Sequence, residues 1–113
     1  MRITHYSFGR ITVDGRTFTS DVVIYPDGVD SSWWRKEGHR LQPVDLEEAL
    51  KARPEVLVIG TGSSGVMEVP GETLDFLRAR GVEARVARTP EAVEIFNRMP
   101  AARRAVAALH LTC

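Results

Sequence analysis

The residues with the most chemical content form one short run, Gly60-Thr61-Gly62-Ser63-Ser64-Gly65, which matches the pattern G-x-G-x-x-G. Glycine has no Cβ, so a loop of this kind can bring several backbone N–H groups close to one anion. The run follows residues 55–59, which are apolar after Glu55 and predict a central strand covered on both faces. Two hypotheses follow: the loop binds an anion or a small ligand, or it is a turn by which the chain leaves that strand.

The surroundings of this run argue against a dinucleotide-binding fingerprint. In such a fingerprint a helix begins at the loop, so that the pyrophosphate meets the helix N-terminus, whereas here residues 66–70 precede the next predicted helix. The acidic residue expected about 20 residues further on, at the end of the next strand, is replaced by Glu83 near the beginning of that strand. No Gly-Lys-Ser/Thr follows, which argues equally against a nucleotide-binding P-loop.

A ligand at this loop would need polar side chains at the C-terminal end of the strand, where open α/β sheets bind their ligands. Thr61, Ser63, Ser64 and Asn97 are the candidates. Neither serine has glycine on both sides at the spacing of a nucleophile turn, and no Asp and His follow in the order that a hydrolase uses. We therefore predict no catalytic residue, and the sequence favours a protein that is not an enzyme.

Trp33 and Trp34 form a second candidate site, at the end of a β-rich segment. Adjacent strand residues point to opposite faces, so at most one of the two can enter the core with its face of the sheet. Two interpretations stay open: one tryptophan lies in the core while the other covers an edge, or an exposed tryptophan beside Arg35 anchors a protein partner. His39 follows in the same region and could supply an imidazole.

Composition and charge exclude several classes of partner. The chain has 15 basic and 15 acidic residues, so its formal net charge at pH 7 is zero, whereas nucleic-acid and membrane-surface binding call for a basic face. Cys113 is the single cysteine and the three histidines lack metal-ligand spacing, so we predict no disulfide, metal or cofactor. No apolar run approaches the ~18–20 residues of a membrane helix, and the first residues do not resemble a signal peptide, so we expect a cytoplasmic protein without membrane insertion.

The 113 residues predict a single domain with a β-rich part, 1–42, and a part in which helices and strands alternate, 43–113. Asp14-Gly15 predicts a hairpin between residues 10–13 and 16–25, because a type I′ turn requires positive φ at both central positions. Pro26-Asp27-Gly28 predicts the next turn.

The second part of the chain predicts three helices. Asp45 is expected to cap the first, Pro70 to lie at the start of the second, and Thr89-Pro90 to cap and begin the third. Residues 82–87 predict another strand. The alanine-rich end of the chain stays ambiguous, because its propensity is helical while residues 106–111 fit a strand of small side chains equally well.

Several segments together resemble one family: Gly60-Thr61-Gly62 at the end of residues 54–62, Thr89-Pro90-Glu91-Ala92 with Asn97, Leu109-His110-Leu111-Thr112-Cys113, and, in the β-rich part, Asp21-Val22, Pro26-Asp27-Gly28, Trp33 or Trp34, His39 and Leu41. It is the single-domain family of unknown function that includes the adipogenesis-associated animal protein and mitochondrial complex I assembly factor three. The resemblance extends over essentially the whole chain. It implies an α/β fold of α+β character with three layers, β+α/β/α: a mixed central sheet with one antiparallel strand and N-terminal β hairpins packed on one side. It also favours the strand for residues 106–111.

The resemblance implies no catalytic reaction, and among relatives it points to protein–protein assembly in the respiratory chain. The leading hypothesis is a non-enzymatic binding or assembly module whose surface near Trp33, Trp34 and the loop 60–65 contacts a protein partner, with homo-oligomers as an open alternative. The second hypothesis is a small-molecule or anion-binding protein, in one version an enzyme, that uses the loop 60–65.

Overall fold

The computed structural model describes residues 1–113 and contains eight strands and three α-helices. The strands are β1 (Ile3–Ser7), β2 (Arg10–Val13), β3 (Arg16–Phe18), β4 (Val22–Tyr25), β5 (Gly28–Asp30), β6 (Val56–Gly60), β7 (Glu83–Ala87) and β8 (Ala105–Leu109). The helices are α1 (Glu47–Leu50), α2 (Gly71–Ala79) and α3 (Thr89–Asn97), and a 3₁₀ turn (Pro43–Leu46) leads directly into α1. Thr89 was expected to cap α3, but it is the first residue of that helix and Arg88 is the cap.

The first three strands form a separate antiparallel sheet in the order β1-β2-β3. Its second hairpin turns at Asp14 and Gly15, whose φ angles are 48° and 80°, so the predicted turn with two positive φ values is confirmed. Residues 16–25 were expected to form one strand. They divide instead, because β3 completes this small sheet and β4 enters the larger one.

The larger sheet has five strands in the order β5-β4-β8-β6-β7. β6 pairs in parallel with β7 and β8, whereas β4 runs antiparallel to both of its neighbours, β5 and β8. β4 is therefore the one strand of opposite direction, as the family resemblance implied. The ambiguous end of the chain forms the central strand, β8, in which every residue is buried.

Different elements cover the two faces of the large sheet, which makes three layers. One face packs against α3 and the small sheet, and its core includes Val58 and Phe96. The other face packs against α1 and α2, with Leu57 and Leu77 in its core. Successive residues of β6 thus enter opposite cores, which explains why this strand is apolar without alternation. The predicted three-layer α+β fold is confirmed.

The helical segment that contains α1 begins earlier than expected, at Pro43 of the 3₁₀ turn, and Asp45 is not its cap. Pro43 opens the 3₁₀ turn, where its fixed φ and missing N–H fit the first position. Asp45 lies inside this turn, and its carboxylate accepts the backbone N–H of Gln42 at 2.8 Å and that of Lys36 at 3.1 Å. Asp45 therefore stabilises the start of the helix from within and ties the segment after Trp34 to it.

Candidate functional site

The glycine loop leaves the C-terminal end of β6 between the end of β8 and the start of α3. Thr89 joins the three: its Oγ1 accepts the N–H of Gly62 at 2.9 Å and donates to the carbonyl of His110 at 2.6 Å, while its N–H donates to the Gly62 carbonyl at 3.0 Å. A Cβ on Gly60 would lie 2.8 Å from both Thr89 Oγ1 and Leu109 Cδ2. Glycine is therefore required here by the close approach of helix and strand.

All backbone N–H groups from residue 61 to residue 67 have partners within the chain. Residues 112–113 run back along the loop, and their carbonyl groups accept the N–H groups of Ser63 at 2.6 Å, Ser64 at 3.2 Å and Val66 at 3.1 Å. The remaining N–H groups of the loop donate to acceptors on Thr61, Gly62, Ala87 and Thr89. An anion at this loop would therefore find no free backbone donor.

The structure does not bring the predicted pocket residues together. Thr61 is buried and its hydroxyl donates to the Ala87 carbonyl at 3.2 Å, whereas Ser64 is exposed. Asn97 lies at the opposite end of α3 from Thr89. Its amide accepts the N–H of Ile3 at 3.0 Å and donates to the Ile3 carbonyl at 2.7 Å, so it joins α3 to β1.

A buried ionic cluster of Asp21, Arg35 and His110 lies where β4 begins and β8 ends. The antiparallel pairing of Val22 with Leu109 puts the neighbouring Asp21 and His110 side by side. One Asp21 carboxylate oxygen contacts Arg35 Nη2 at 2.9 Å and His110 Nδ1 at 2.8 Å, and the other accepts the N–H that follows His110, at 2.8 Å. The Arg35 and His110 side chains are only 5% and 7% exposed. Their interactions with Asp21 are therefore weakly screened by water.

The hydrogen bonds determine which nitrogen of His110 carries the proton. Both hydrogens of Arg35 Nη2 are used, one by Asp21 and one by the Gly38 carbonyl at 2.9 Å. Nη2 thus has no hydrogen left for His110 Nδ1, although these two nitrogens are 3.1 Å apart. Nδ1 itself must donate to Asp21, which leaves Nε2 as a lone-pair acceptor while the ring is neutral. Nε2 and Arg35 Nη1 are buried and have no hydrogen-bond partner within the chain.

Asp21 stays ionised in this cluster. Burial alone would raise the pKa of its carboxyl group, because burial disfavours the charged form. Hydrogen bonds from His110 and from the Leu111 N–H, together with the positive charge of Arg35, outweigh burial and hold the pKa of Asp21 below its ordinary value of 3.8. At neutral pH, Asp21 is therefore a carboxylate that balances the charge of Arg35.

Arg35 connects this cluster to the tryptophan pair. Its guanidinium carbon lies 4.6 Å from the centre of the Trp33 ring, and Trp33 Nε1 donates to the Asp45 carbonyl at 3.0 Å. Trp33 is half-buried and held from both sides, whereas Trp34 is 73% exposed. Cation–π contact and hydrogen bond thus fix the direction of the segment from which Trp34 projects.

The tryptophans border a surface groove of about 360 Å³, which we call the tryptophan groove. Its apolar walls are formed by Tyr25, Trp33, Trp34 and Val44. Acidic side chains predominate around it: Asp30, Asp45, Glu47 and Glu48 against the single lysine Lys36. Burial raises the pKa of Tyr25, and the charges of Asp30 and Glu48 raise it further, which agrees with a negative potential in the groove.

His39 lies against the buried ionic cluster. It is exposed, and its ring packs edge-on against that of His110, with 5.8 Å between the ring centroids. The sequence alone did not single out Asp21, Arg35 and His110 as one site, because Asp21 and His110 are 89 residues apart. The sequence did contain a signal for this site: each of two apolar segments that must pair in the sheet has a charged or titratable residue next to it.

No group of three or more His, Cys, Asp and Glu residues is arranged so that it could hold a metal ion. None of the helices has both the length and the apolar character needed to cross a bilayer.

Several known proteins are similar to this chain in sequence and in fold. A family model described as "Protein of unknown function (DUF498/DUF598)" matches residues 3–111. A conserved hypothetical protein of Pyrococcus horikoshii is 29% identical over 100% of both chains, with a TM-score of 0.85. A Bordetella parapertussis protein is 30% identical over 97% of this chain and 94% of that one, with a TM-score of 0.81. An outer membrane protein of Bartonella henselae, 24% identical over 98% of this chain and 94% of that one with a TM-score of 0.81, shares the fold.

Proposed function

Because the chain belongs to the DUF498/DUF598 family of proteins of unknown function, we propose its role from its geometry: it is a non-enzymatic binding or assembly module whose protein partner docks in the tryptophan groove. The family match agrees with the resemblance found in the sequence. A cytoplasmic location, expected from the sequence, is part of this proposal.

The observation that carries the proposal is the exposure of Trp34 beside a groove with apolar walls. Trp34 is 73% exposed, and a tryptophan that loses water on binding is among the strongest contributors to protein–protein affinity. Trp33 is already fixed by Arg35 and the Asp45 carbonyl, so little side-chain freedom is lost there on docking.

The charges around the groove indicate the kind of segment that it binds. Lys51 Nζ lies 2.8 Å from Glu48 Oε1 and balances the charge of that carboxylate. Glu47 and Asp30, in contrast, make no ion pair within the chain. A partner segment with an apolar side chain next to Lys or Arg would satisfy both the walls and the rim. Binding should then weaken as salt is raised, since exposed charges are screened.

Trp34→Ala tests the proposal. We expect the variant to bind its partner about 30-fold or more weakly, as for a central interface tryptophan, while its free energy of unfolding changes by less than about 0.5 kcal/mol because Trp34 is exposed. Partners captured by the wild type are compared with those captured by Trp34→Ala, and the affinity of each lost partner is then measured by calorimetry.

Phe8→Ala is the matched control, because Phe8 is 64% exposed in the turn between β1 and β2 and does not line the groove. It should keep every partner. The proposal fails if wild type and Trp34→Ala recover the same partners with equal affinity.

Small-anion binding is the second candidate function, and the geometry favours the buried ionic cluster over the glycine loop for it. Arg35 Nη1 is a buried donor without a partner in the chain. Carboxylate and phosphate oxygens are the acceptors that a guanidinium group binds best.

A thermal-shift screen with inorganic phosphate, small carboxylates and nucleotides tests this second candidate. An anion present at about 100 times its Kd is expected to stabilise the fold by about 2.7 kcal/mol. Arg35→Lys keeps a positive charge opposite Asp21 but replaces the three guanidinium nitrogens with one ammonium group, so the donor at the Nη1 position is lost and the shift should be abolished. If no anion stabilises the wild type, this candidate is wrong.

A further inference from the structure

The edge strand β7 has backbone groups that face away from the sheet. Glu83 N–H donates to the Glu55 carbonyl at 3.0 Å, and the Ala87 carbonyl accepts the Thr61 N–H at 2.9 Å, so both residues turn their backbone groups toward the β6 side. Successive residues of a strand alternate in direction. The N–H and C=O groups of Ala84 and Val86 therefore point outward, away from the sheet.

The helices flank this edge without covering it. On one side a cavity of about 390 Å³, lined by Leu74 and Arg78 of α2, opens beside Val82, Ala84 and Val86. On the other side a cavity of about 370 Å³ separates Arg85 from α3. Val86 is 43% exposed although it is apolar. An exposed edge with free backbone groups is a template for pairing with another strand.

The sequence of this edge is complementary to itself. Val82-Glu83-Ala84-Arg85-Val86 reads apolar, negative, small, positive, apolar. We propose that a second copy of this chain pairs antiparallel along β7, about a two-fold axis at Ala84, so that the two large sheets become one continuous sheet. Each Glu83 then faces the partner's Arg85, and each Val82 faces the partner's Val86.

This register gives partners to the outward N–H groups of Ala84 and Val86 and to the Ala84 carbonyl, and it leaves the Val86 carbonyl without a donor from the partner. Residues facing each other across an antiparallel pair exchange hydrogen bonds at alternate positions. Ala84 exchanges both of its bonds with the partner's Ala84, and the Val86 N–H reaches the partner's Val82 carbonyl. The Val82 N–H is already bonded to the Leu77 carbonyl at 3.0 Å, and this arrangement leaves that bond intact.

Charge selects this register over its neighbours. If the axis moves by one residue toward the C-terminus, Arg85 lies opposite the partner's Arg85. If it moves by one residue toward the N-terminus, Glu83 lies opposite the partner's Glu83. Like charges directly opposite each other destabilise a strand pair. Within one chain Glu83 contacts Arg85 and Arg103. These ion pairs are exposed and contribute little, so re-pairing across the axis is not opposed.

Sedimentation equilibrium over a wide concentration range tests the proposal. The wild type should form a dimer, and Glu83→Arg and Arg85→Glu should each raise the dimer Kd by at least about 30-fold, because each sets like charges opposite at two symmetric places. An equimolar mixture of these two variants should form a heterodimer, since every cross-pair is then of opposite sign. The double variant Glu83→Arg/Arg85→Glu should recover self-association.

Ala84→Pro provides a test that does not depend on charge. Proline is tolerated at an edge position whose N–H faces outward, but it cannot donate across the axis, so this variant should fold and remain monomeric. A wild type that stays monomeric at every concentration overturns the proposal. So does a dimer whose Kd is unchanged by both charge reversals, because its interface would then lie elsewhere.

Discussion

Asp21→Asn is expected to destabilise the protein by about 3–5 kcal/mol, which is the effect of removing one partner from a buried ion pair. The Asp21 carboxylate accepts hydrogen bonds from Arg35, His110 and the Leu111 N–H. Asparagine lacks the charge that balances Arg35, whose side chain is 5% exposed. Urea unfolding followed by circular dichroism measures the difference.

Asp75→Asn is the matched control for this prediction. It makes the same chemical change in an Asp–Arg pair, with Arg78 at 2.9 Å, but both of these side chains are more than 70% exposed. Such a pair contributes about 0–1 kcal/mol. Equal effects of the two substitutions would show that the buried cluster does not stabilise the fold.

The same residue predicts a pH dependence with a definite sign. The folded-state pKa of Asp21 lies below its ordinary value of 3.8, so the folded protein binds this proton less readily than the unfolded chain. The stabilisation by Asp21 is therefore fully present above about pH 4 and is lost as the pH falls through the folded-state pKa. Between neutral pH and pH 3, Asp21→Asn should lose less stability than the wild type.

Gly62→Ala is the substitution with the second large effect: we expect it to lower the free energy of unfolding by about 2–5 kcal/mol. Gly62 has a φ of +108°, which L side chains rarely adopt. A Cβ there would also lie 2.7 Å from the Cys113 carbonyl oxygen and 2.9 Å from that of Thr112, which are backbone atoms held by the loop itself. Differential scanning calorimetry should show a clear fall in Tm.

Two other glycines separate the causes of this effect. Gly15 has a φ of +80° but open space around its Cα, so Gly15→Ala measures the conformational strain alone, about 1–2 kcal/mol. Gly71 has neither a positive φ nor a close neighbour, so Gly71→Ala should change stability by less than about 0.5 kcal/mol. If Gly62→Ala is no worse than Gly15→Ala, the contact with residues 112–113 is unimportant.

The fold was predictable where local chemistry decides it. Asp14-Gly15 has the residue types that a type I′ turn requires, and the uniformly apolar β6 indicated a strand covered on both faces. The division of residues 16–25 between two sheets was not predictable, because no turn residue as strong as Asp14-Gly15 marks it. Whether residues 106–111 form helix or strand was decided by pairing with β4 and β6, and a short segment does not encode its neighbours.

The candidate site was less predictable than the fold. A glycine run after a buried strand has the same appearance whether its N–H groups bind a ligand or the protein itself. The acceptors that decide between these lie on residues 112–113, far along the chain from the loop. The exposed tryptophan was one of two open interpretations, and the contacts with Arg35 and Asp45 determine that Trp33 is the packed member of the pair.

The position of β8 has a consequence for how the protein is made. β8 follows every other strand in the sequence, yet it lies between β4 and β6. While a ribosome is still adding the residues before Ala105, both of those strands have an open edge that only β8 fills, and open apolar edges favour aggregation. Closure of the sheet is a late, long-range step, which slows folding. The tendency of the nascent chain to aggregate therefore depends on how long β6 stays unpaired before β8 is made, rather than on the stability of the finished fold.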